Sequence, residues 1–120
     1  MLDGMSDLTV FHNPACSTSR HAVDEVAGLE VDVVQYLKEP LDRAELLELL
    51  EKLEDPPAEL VRKDQFFKAL ELDPDDYTTP QAVAGLLVEH PRLMQRPVLV
   101  RGDRAIIGRP KTRVAAFLAA

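Results

Sequence analysis

Two hydrophobic rhythms run along the chain, one repeating every second residue and one every third or fourth. Leu8-Thr9-Val10-Phe11 is a short β-prone run that stops at Asn13-Pro14, which predicts a first strand. From Cys16 to Ala27 the apolar positions Ala22, Val23, Val26 and Ala27 share one helical face, and Gly28 ends the segment. Val31 to Tyr36 is apolar and β-branched and is closed by Pro40, so a second strand is expected there. Strand, helix, strand in that order favours parallel pairing through a right-handed crossover.

Asp42-Arg43-Ala44-Glu45 has the form of a capping box, and Leu46, Leu47, Leu49, Leu50 and Leu53 follow at helical spacing. Shorter helical pieces are expected at Ala58 to Lys63 and near Phe66 to Leu70. Loops are expected where proline and acidic residues gather, at Glu54 to Pro57 and Asp73 to Asp76. Thr79-Pro80 supplies an N-cap and a first-turn proline for a helix through about Glu89, which His90-Pro91 ends. Pro97 to Val100 and Arg104 to Ile107 flank Gly102-Asp103, a hairpin signal. Pro110 is expected to open a last helix with Val114 and Phe117 facing inward. The fold class is therefore α/β. The order β, α, β, a helical middle, β, β, α is that of a thioredoxin-like domain, with a four-stranded mixed sheet and a helical insertion between its second and third strands.

Composition narrows the picture. The 120 residues, 46% of them hydrophobic, suit one globular domain over residues 8–120 behind an N-terminal tail at 1–7. With 14 basic and 21 acidic residues the net charge is -7, which repels phosphate backbones and argues against a nucleic-acid partner. Any bound anion must be caught by a local cluster of cations. The longest apolar runs, Ala82 to Val88 and Val114 to Ala120, fall far short of the roughly 20 residues that span a bilayer, so no membrane role is expected. The first residues lack the basic and apolar regions of a signal peptide, and a cytoplasmic location is the default expectation. A single cysteine permits no internal disulfide, so any redox cycle must borrow a partner thiol. Cys16, His12, His21 and His90 show none of the paired spacings of metal sites, and no metal is expected.

Cys16 lies in His12-Asn13-Pro14-Ala15-Cys16-Ser17-Thr18-Ser19-Arg20, after a strand and at the start of a helix. Free amides at such a position stabilise a thiolate, bringing a thiol from about 8.5 into the range of roughly 3.5 to 7.5. The competing reading of a lone cysteine is a buried, inert side chain. His12, four residues earlier, would favour the thiolate as an imidazolium or a hydrogen-bond donor, or else simply end a strand. Arg20 falls one helical turn after Cys16 and either faces the same site or is solvated. Arg96-Pro97 and Arg109-Pro110 each fix an arginine in extended geometry before a proline. Guanidinium forks suit tetrahedral oxyanions, so arginines converging on a thiolate would make a pocket for arsenate or phosphate; surface arginines beside structural prolines are the alternative.

The segment His12 to Arg20 resembles the H-x3-C-x3-R signature of arsenate reductases of the glutaredoxin-dependent ArsC type. Leu60-Val61-Arg62-Lys63 is similar to that family's helical segment with an oxyanion arginine. Gln95-Arg96-Pro97-Val98 resembles its arginine and cis-proline, and Ile107-Gly108-Arg109-Pro110 its last arginine loop. The resemblance implies Cys16 as nucleophile with His12 assisting, and Arg62, Arg96 and Arg109 holding arsenate. Asn13, Ser17, Arg20 and Pro97 would support the site, Pro97 in the cis form. It further implies no bound cofactor, an external thiol such as glutathione and a glutaredoxin-like protein partner; a monomer is expected. Two other roles stay open on the same scaffold. One is an ArsC-like thiol oxidoreductase with another substrate. The other is an Spx-like transcriptional regulator that binds RNA polymerase, although the usual CxxC pair is missing because position 19 is serine.

Overall fold

The structure is a computed structural model that describes residues 7–119. Apart from Asp7, the tail expected at 1–7 lies outside the described residues. The elements are β1 (Leu8–His12), α1 (Ser17–Glu25), β2 (Asp32–Gln35), α2 (Arg43–Lys52), α3 (Gln65–Ala69), α4 (Pro80–Glu89), β3 (Val98–Arg101), β4 (Arg104–Ile107) and α5 (Thr112–Ala119). Three 3-10 turns, at Pro57–Leu60, Pro74–Asp76 and Pro91–Leu93, lie between α2 and β3.

The four strands form one mixed sheet in the order β2-β1-β3-β4, with β1 parallel to β2 and antiparallel to β3, and β3 antiparallel to β4. Alternation along each strand distributes side chains to two cores. On one face Leu8, Val10, Leu99 and Ile106 pack with Ala22 and Val26 of the α1 segment and with Val114 and Phe117 of α5. On the other, Val98, Ala105 and Ile107 join the larger core built from α2, α3, α4 and the turns, including Leu46, Leu50, Phe67 and Leu87. Each buried aliphatic or aromatic side chain contributes roughly 1.5–3 kcal/mol, so the sheet is held from both sides.

Local chemistry sets several boundaries as expected. Asp42 and Glu45 close both bonds of the capping box, at 2.8 and 3.0 Å. The Thr79 hydroxyl accepts the Ala82 amide at 3.2 Å, and Pro80 stands in the first turn of α4. In the β3–β4 hairpin Gly102 has φ +62°, the conformation that a turn with glycine at its first central position requires.

Three expectations need correction. Ala58 to Lys63 is not one helical piece: the 3-10 turn stops at Leu60. Val61 then forms an antiparallel bridge with Met94, the Arg62 amide donates to the Leu93 carbonyl at 2.7 Å, and the Gln95 amide donates to the Leu60 carbonyl at 2.7 Å. Arg62 is thus carried on extended chain, because pairing with a segment far along the sequence satisfies the backbone better than one more local turn. Pro110 does not open α5, which begins at Thr112; the Arg109-Pro110 peptide is cis, a geometry outside the helix. Finally, α1 and β2 are each shorter than expected, and Tyr36 lies beyond β2, buried at 1% exposure.

Candidate active site around Cys16

Cys16 is the N-cap residue of α1, with extended backbone (φ -104°, ψ 124°). The turn before it is held from inside. Asn13 accepts the Cys16 amide on its carbonyl at 3.0 Å and the Ala15 amide on Oδ1 at 2.9 Å. Arg20 reaches back from α1 to donate to the Pro14 carbonyl at 2.9 Å. Arg20 therefore braces the loop, while Ser17 is exposed in the first turn of the helix.

His12 faces α1 because it has the same parity on β1 as Leu8 and Val10. There it meets Ser19: His12 Nδ1 and Ser19 Oγ are 2.7 Å apart, and Ser19 Oγ also accepts the Asn13 amide at 2.9 Å. Burial holds the His12 imidazole below its ordinary value and the Arg20 charge adds to this, with the Ser19 backbone opposing. A neutral imidazole accepting the Ser19 hydroxyl proton satisfies all three groups. His12 thus acts on the loop through Ser19 and closes no hydrogen bond with Cys16.

Ser19 is a site residue that the sequence analysis misses, although a signal exists. It stands three residues before Ala22 and seven before Val26, on the buried stripe of the helix, and a polar group there needs a partner.

The Cys16 sulfur closes no capping bond of ordinary geometry in α1. Burial pushes its thiol up, but the Ser19 amide, the Arg96 side chain, the Thr18 amide and the Arg109 side chain all favour the thiolate and bring it down to about 7. Thr18 and Ser19 are the second and third helical residues, whose amides bear on an N-cap side chain. Arg109 Nη1 lies 3.7 Å from Sγ and donates to the Arg96 carbonyl at 3.2 Å.

The two arginine loops meet because both are packed against Gly108. The Gly108 amide donates to the Pro97 carbonyl at 2.9 Å, and a Cβ on Gly108 would stand 2.9 Å from Pro97 Cγ and 3.0 Å from Leu99 Cδ1. The Arg96-Pro97 peptide is cis, as the resemblance implied. At the foot of the Arg109 loop, Asp55 accepts the Ile107 amide at 2.9 Å and an Arg113 nitrogen at 2.8 Å, while Arg113 donates to the Ile107 carbonyl at 2.8 Å. Residues from the α2–α3 connection and from α5 thereby anchor that loop.

Arg62 does not join Arg96 and Arg109 on the sulfur. It lines an adjoining groove of about 510 Å³ together with Asn13, Leu37, Asp64, Arg92 and Arg96. Behind the groove the Tyr36 hydroxyl donates to the Met94 carbonyl at 3.3 Å. Burial raises the Tyr36 phenol, against the pull of Arg96, Asn13 and Arg62, so it stays neutral. Neither Tyr36 nor Arg92 carries a functional signal in the sequence, since each reaches this place only through tertiary packing. A second depression, about 190 Å³, lies over β1 and β3 beside Glu45 and Glu48, away from Cys16 and the arginines.

Among the described residues no cluster of three or more His, Cys, Asp or Glu side chains that could hold a metal occurs, and no helix is long and apolar enough to cross a membrane. The arrangement as a whole is a nucleophile flanked by cations, suited to attack on an anionic centre.

Known proteins are similar to this chain over most of its length. The ArsC family profile matches residues 11–117. An arsenate reductase of Neisseria meningitidis serogroup A is 36% identical over 118 residues, spanning 95% of this chain and 100% of its own. The Escherichia coli protein YfgD, named as uncharacterized, is 39% identical over 109 residues, covering 88% and 91%. Among solved structures, an arsenate reductase from Vibrio cholerae superposes with a TM-score of 0.79 at 29% identity, covering 91% of this chain and 95% of that one.

Proposed function

The chain belongs to the ArsC family, and on that premise we propose that it is an arsenate reductase whose Cys16 thiolate attacks arsenate. The observation that carries this reading is the place of Cys16 at the N-cap of α1 with Arg109 Nη1 3.7 Å from its sulfur; against burial, the Ser19 and Thr18 amides and the Arg96 and Arg109 side chains bring the thiol down to about 7. About half of such a thiol is ionised at neutral pH.

Attack forms a sulfur–arsenic bond while one arsenate oxygen, protonated, leaves as water. Arg96 and Arg109 counter the negative charge brought to the sulfur by the substrate, a stabilisation of the oxyanion-hole kind. Arg62, across the groove, is the third arginine available to arsenate oxygens. His12, Asn13 and Ser19 keep the cysteine turn in place, and Arg20 braces it.

Reduction from arsenic(V) to arsenic(III) needs two electrons. The chain has one cysteine, so two external thiols supply them and leave as a disulfide, freeing Cys16 when arsenite is released. Glutathione and a glutaredoxin-like protein fill these roles in our reading.

The test is arsenate-dependent NADPH oxidation coupled through glutathione, glutaredoxin and glutathione reductase. Wild type should turn over and Cys16→Ser should not; equal rates in the two proteins would end the mechanism.

A further inference from the structure

The outer edge of β4 is closed by side chains as well as by backbone. Leu53 bridges Ala105 in parallel, the Glu54 amide donates to the Ala105 carbonyl at 2.8 Å, and Arg104 grips both Glu54 carboxylate oxygens. In a parallel ladder the next amide, two residues on, would be due at the Ile107 carbonyl, but residue 56 is proline and has none. The chain turns into its 3-10 segment at Pro57 instead.

An ion pair takes over where the ladder stops. Asp55 Oδ2 accepts the Ile107 amide at 2.9 Å, and Arg113 Nη1 donates to the Ile107 carbonyl and to Asp55 Oδ1, both at 2.8 Å. Both backbone groups of Ile107 are therefore held by one closed ring of charge-assisted hydrogen bonds. The Asp55 side chain is only 16% exposed and that of Arg113 33%, so water competes with the pair less than at an open surface.

Ile107 and Arg113 are also the entry and the exit of the loop that carries Arg109. Ile107 ends β4, Arg113 stands in the first turn of α5, and Arg109 lies between them. The bond from Arg113 to the Ile107 carbonyl ties the two ends together, while the Gly108 amide holds the inner side to the Pro97 carbonyl. Arg109 itself is exposed and reaches the Cys16 sulfur and the Arg96 carbonyl through one nitrogen, Nη1. A long exposed side chain of this kind has many rotamers, so where its guanidinium stands depends on how firmly its root is fixed.

We propose that Asp55 and Arg113 are positioning residues for Arg109: their ion pair around the Ile107 backbone sets the loop from which the Arg109 guanidinium reaches Cys16 and the substrate oxyanion. Neither is among the side chains that act on the sulfur, and neither lines the groove beside it. Their effect passes through Arg109. The inference rests on the arsenate reading above for its substrate, and on geometry alone for the sulfur.

Protection of Cys16 by arsenate against iodoacetamide, in the full-length protein, reads the oxyanion site. Arg109→Met should raise the half-protecting arsenate concentration about tenfold or more, the loss expected for one charge-assisted contact. Asp55→Ala and Arg113→Met should each raise it at least about threefold. Added to Arg109→Met, Asp55→Ala should change it by less than about twofold, because no guanidinium is left to position. A pair that only stabilises the fold would lower the urea midpoint and leave half-protection as in wild type, or would act equally in both backgrounds; either result overturns the proposal. Asp55→Asn keeps the volume and an acceptor for the Ile107 amide without the charge, and should fall between wild type and Asp55→Ala. If Asp55→Ala does not fold, wild-type protection in Asp55→Asn overturns the proposal in its place. Arsenate that fails to protect wild type defeats the arsenate reading, and the pH midpoint of Cys16 exchange with 4,4′-dithiodipyridine then carries the test. Asp55→Ala should raise that midpoint toward the value in Arg109→Met, with no further rise in the double variant. A wild-type midpoint in Asp55→Ala, or in Arg109→Met itself, would overturn the positioning role.

Discussion

Replacing both arginines that act on the sulfur, in Arg96→Met/Arg109→Met, separates their contribution from that of the helix. Wild-type Cys16 stands at about 7, so about half is thiolate at pH 7. Removing two cations raises the value, and an unperturbed thiol near 8.5 would be only about 3% ionised at that pH. Burial, which pushes the thiol up, and the Ser19 and Thr18 amides, which pull it down, both remain, so a rise of about 1.5 units to that value lowers the thiolate fraction about 16-fold. A more basic thiolate is also intrinsically more nucleophilic. With a Brønsted slope of about 0.4–0.5, a rise of about 1.5 units returns roughly fivefold in rate per thiolate. The variant should therefore react only a few-fold more slowly at pH 7 and faster than wild type above about pH 8. Stopped-flow exchange with neutral 4,4′-dithiodipyridine, followed from about pH 6 to about pH 10, reads both the midpoint and the crossover. A midpoint of about 7 in the double variant, with no crossover, would refute the assignment of these arginines to the sulfur.

Two further outcomes test the scaffold. Ser19→Ala strands the buried Asn13 amide and the His12 Nδ1 together, and should cost about 1–3 kcal/mol in urea unfolding; an unchanged midpoint would mean the His12–Ser19–Asn13 network is dispensable. Gly108→Ala forces a Cβ against Pro97 Cγ at 2.9 Å and Val114 Cγ2 at 3.2 Å, and should destabilise by about 1–3 kcal/mol; a thermal midpoint equal to wild type would show that the two arginine loops have room to spread.

Much of the frame is legible in the sequence. The leucine repeat of α2 with its Asp42–Glu45 box, the Thr79-Pro80 start of α4 and the Gly102 hairpin are each written in residues a few positions apart. Cys16 at the head of α1 belongs with these, since strand, Asn-Pro and helix stripe all lie within one short segment. Local signals mislead where a distant partner competes with them. Pro110 has the form of a helix opener, yet α5 waits for Thr112, and the helical expectation from Ala58 fails at Val61, which pairs with Met94.

Element order, the α/β class and the place of Cys16 at a helix start are thus properties of the chain's local chemistry, because caps, turns and periodic faces act through contacts between near neighbours. Which charges meet is settled by long-range packing. Arg109 reaches Cys16 from 93 positions away, and Tyr36 reaches Met94 from 58. Arg62 is drawn to the groove beside Arg92 rather than to the sulfur by its bridge to Leu93. Such distances are set by sheet order and by the packing of loops on Gly108, and neither is encoded in the spacing of residues along the chain.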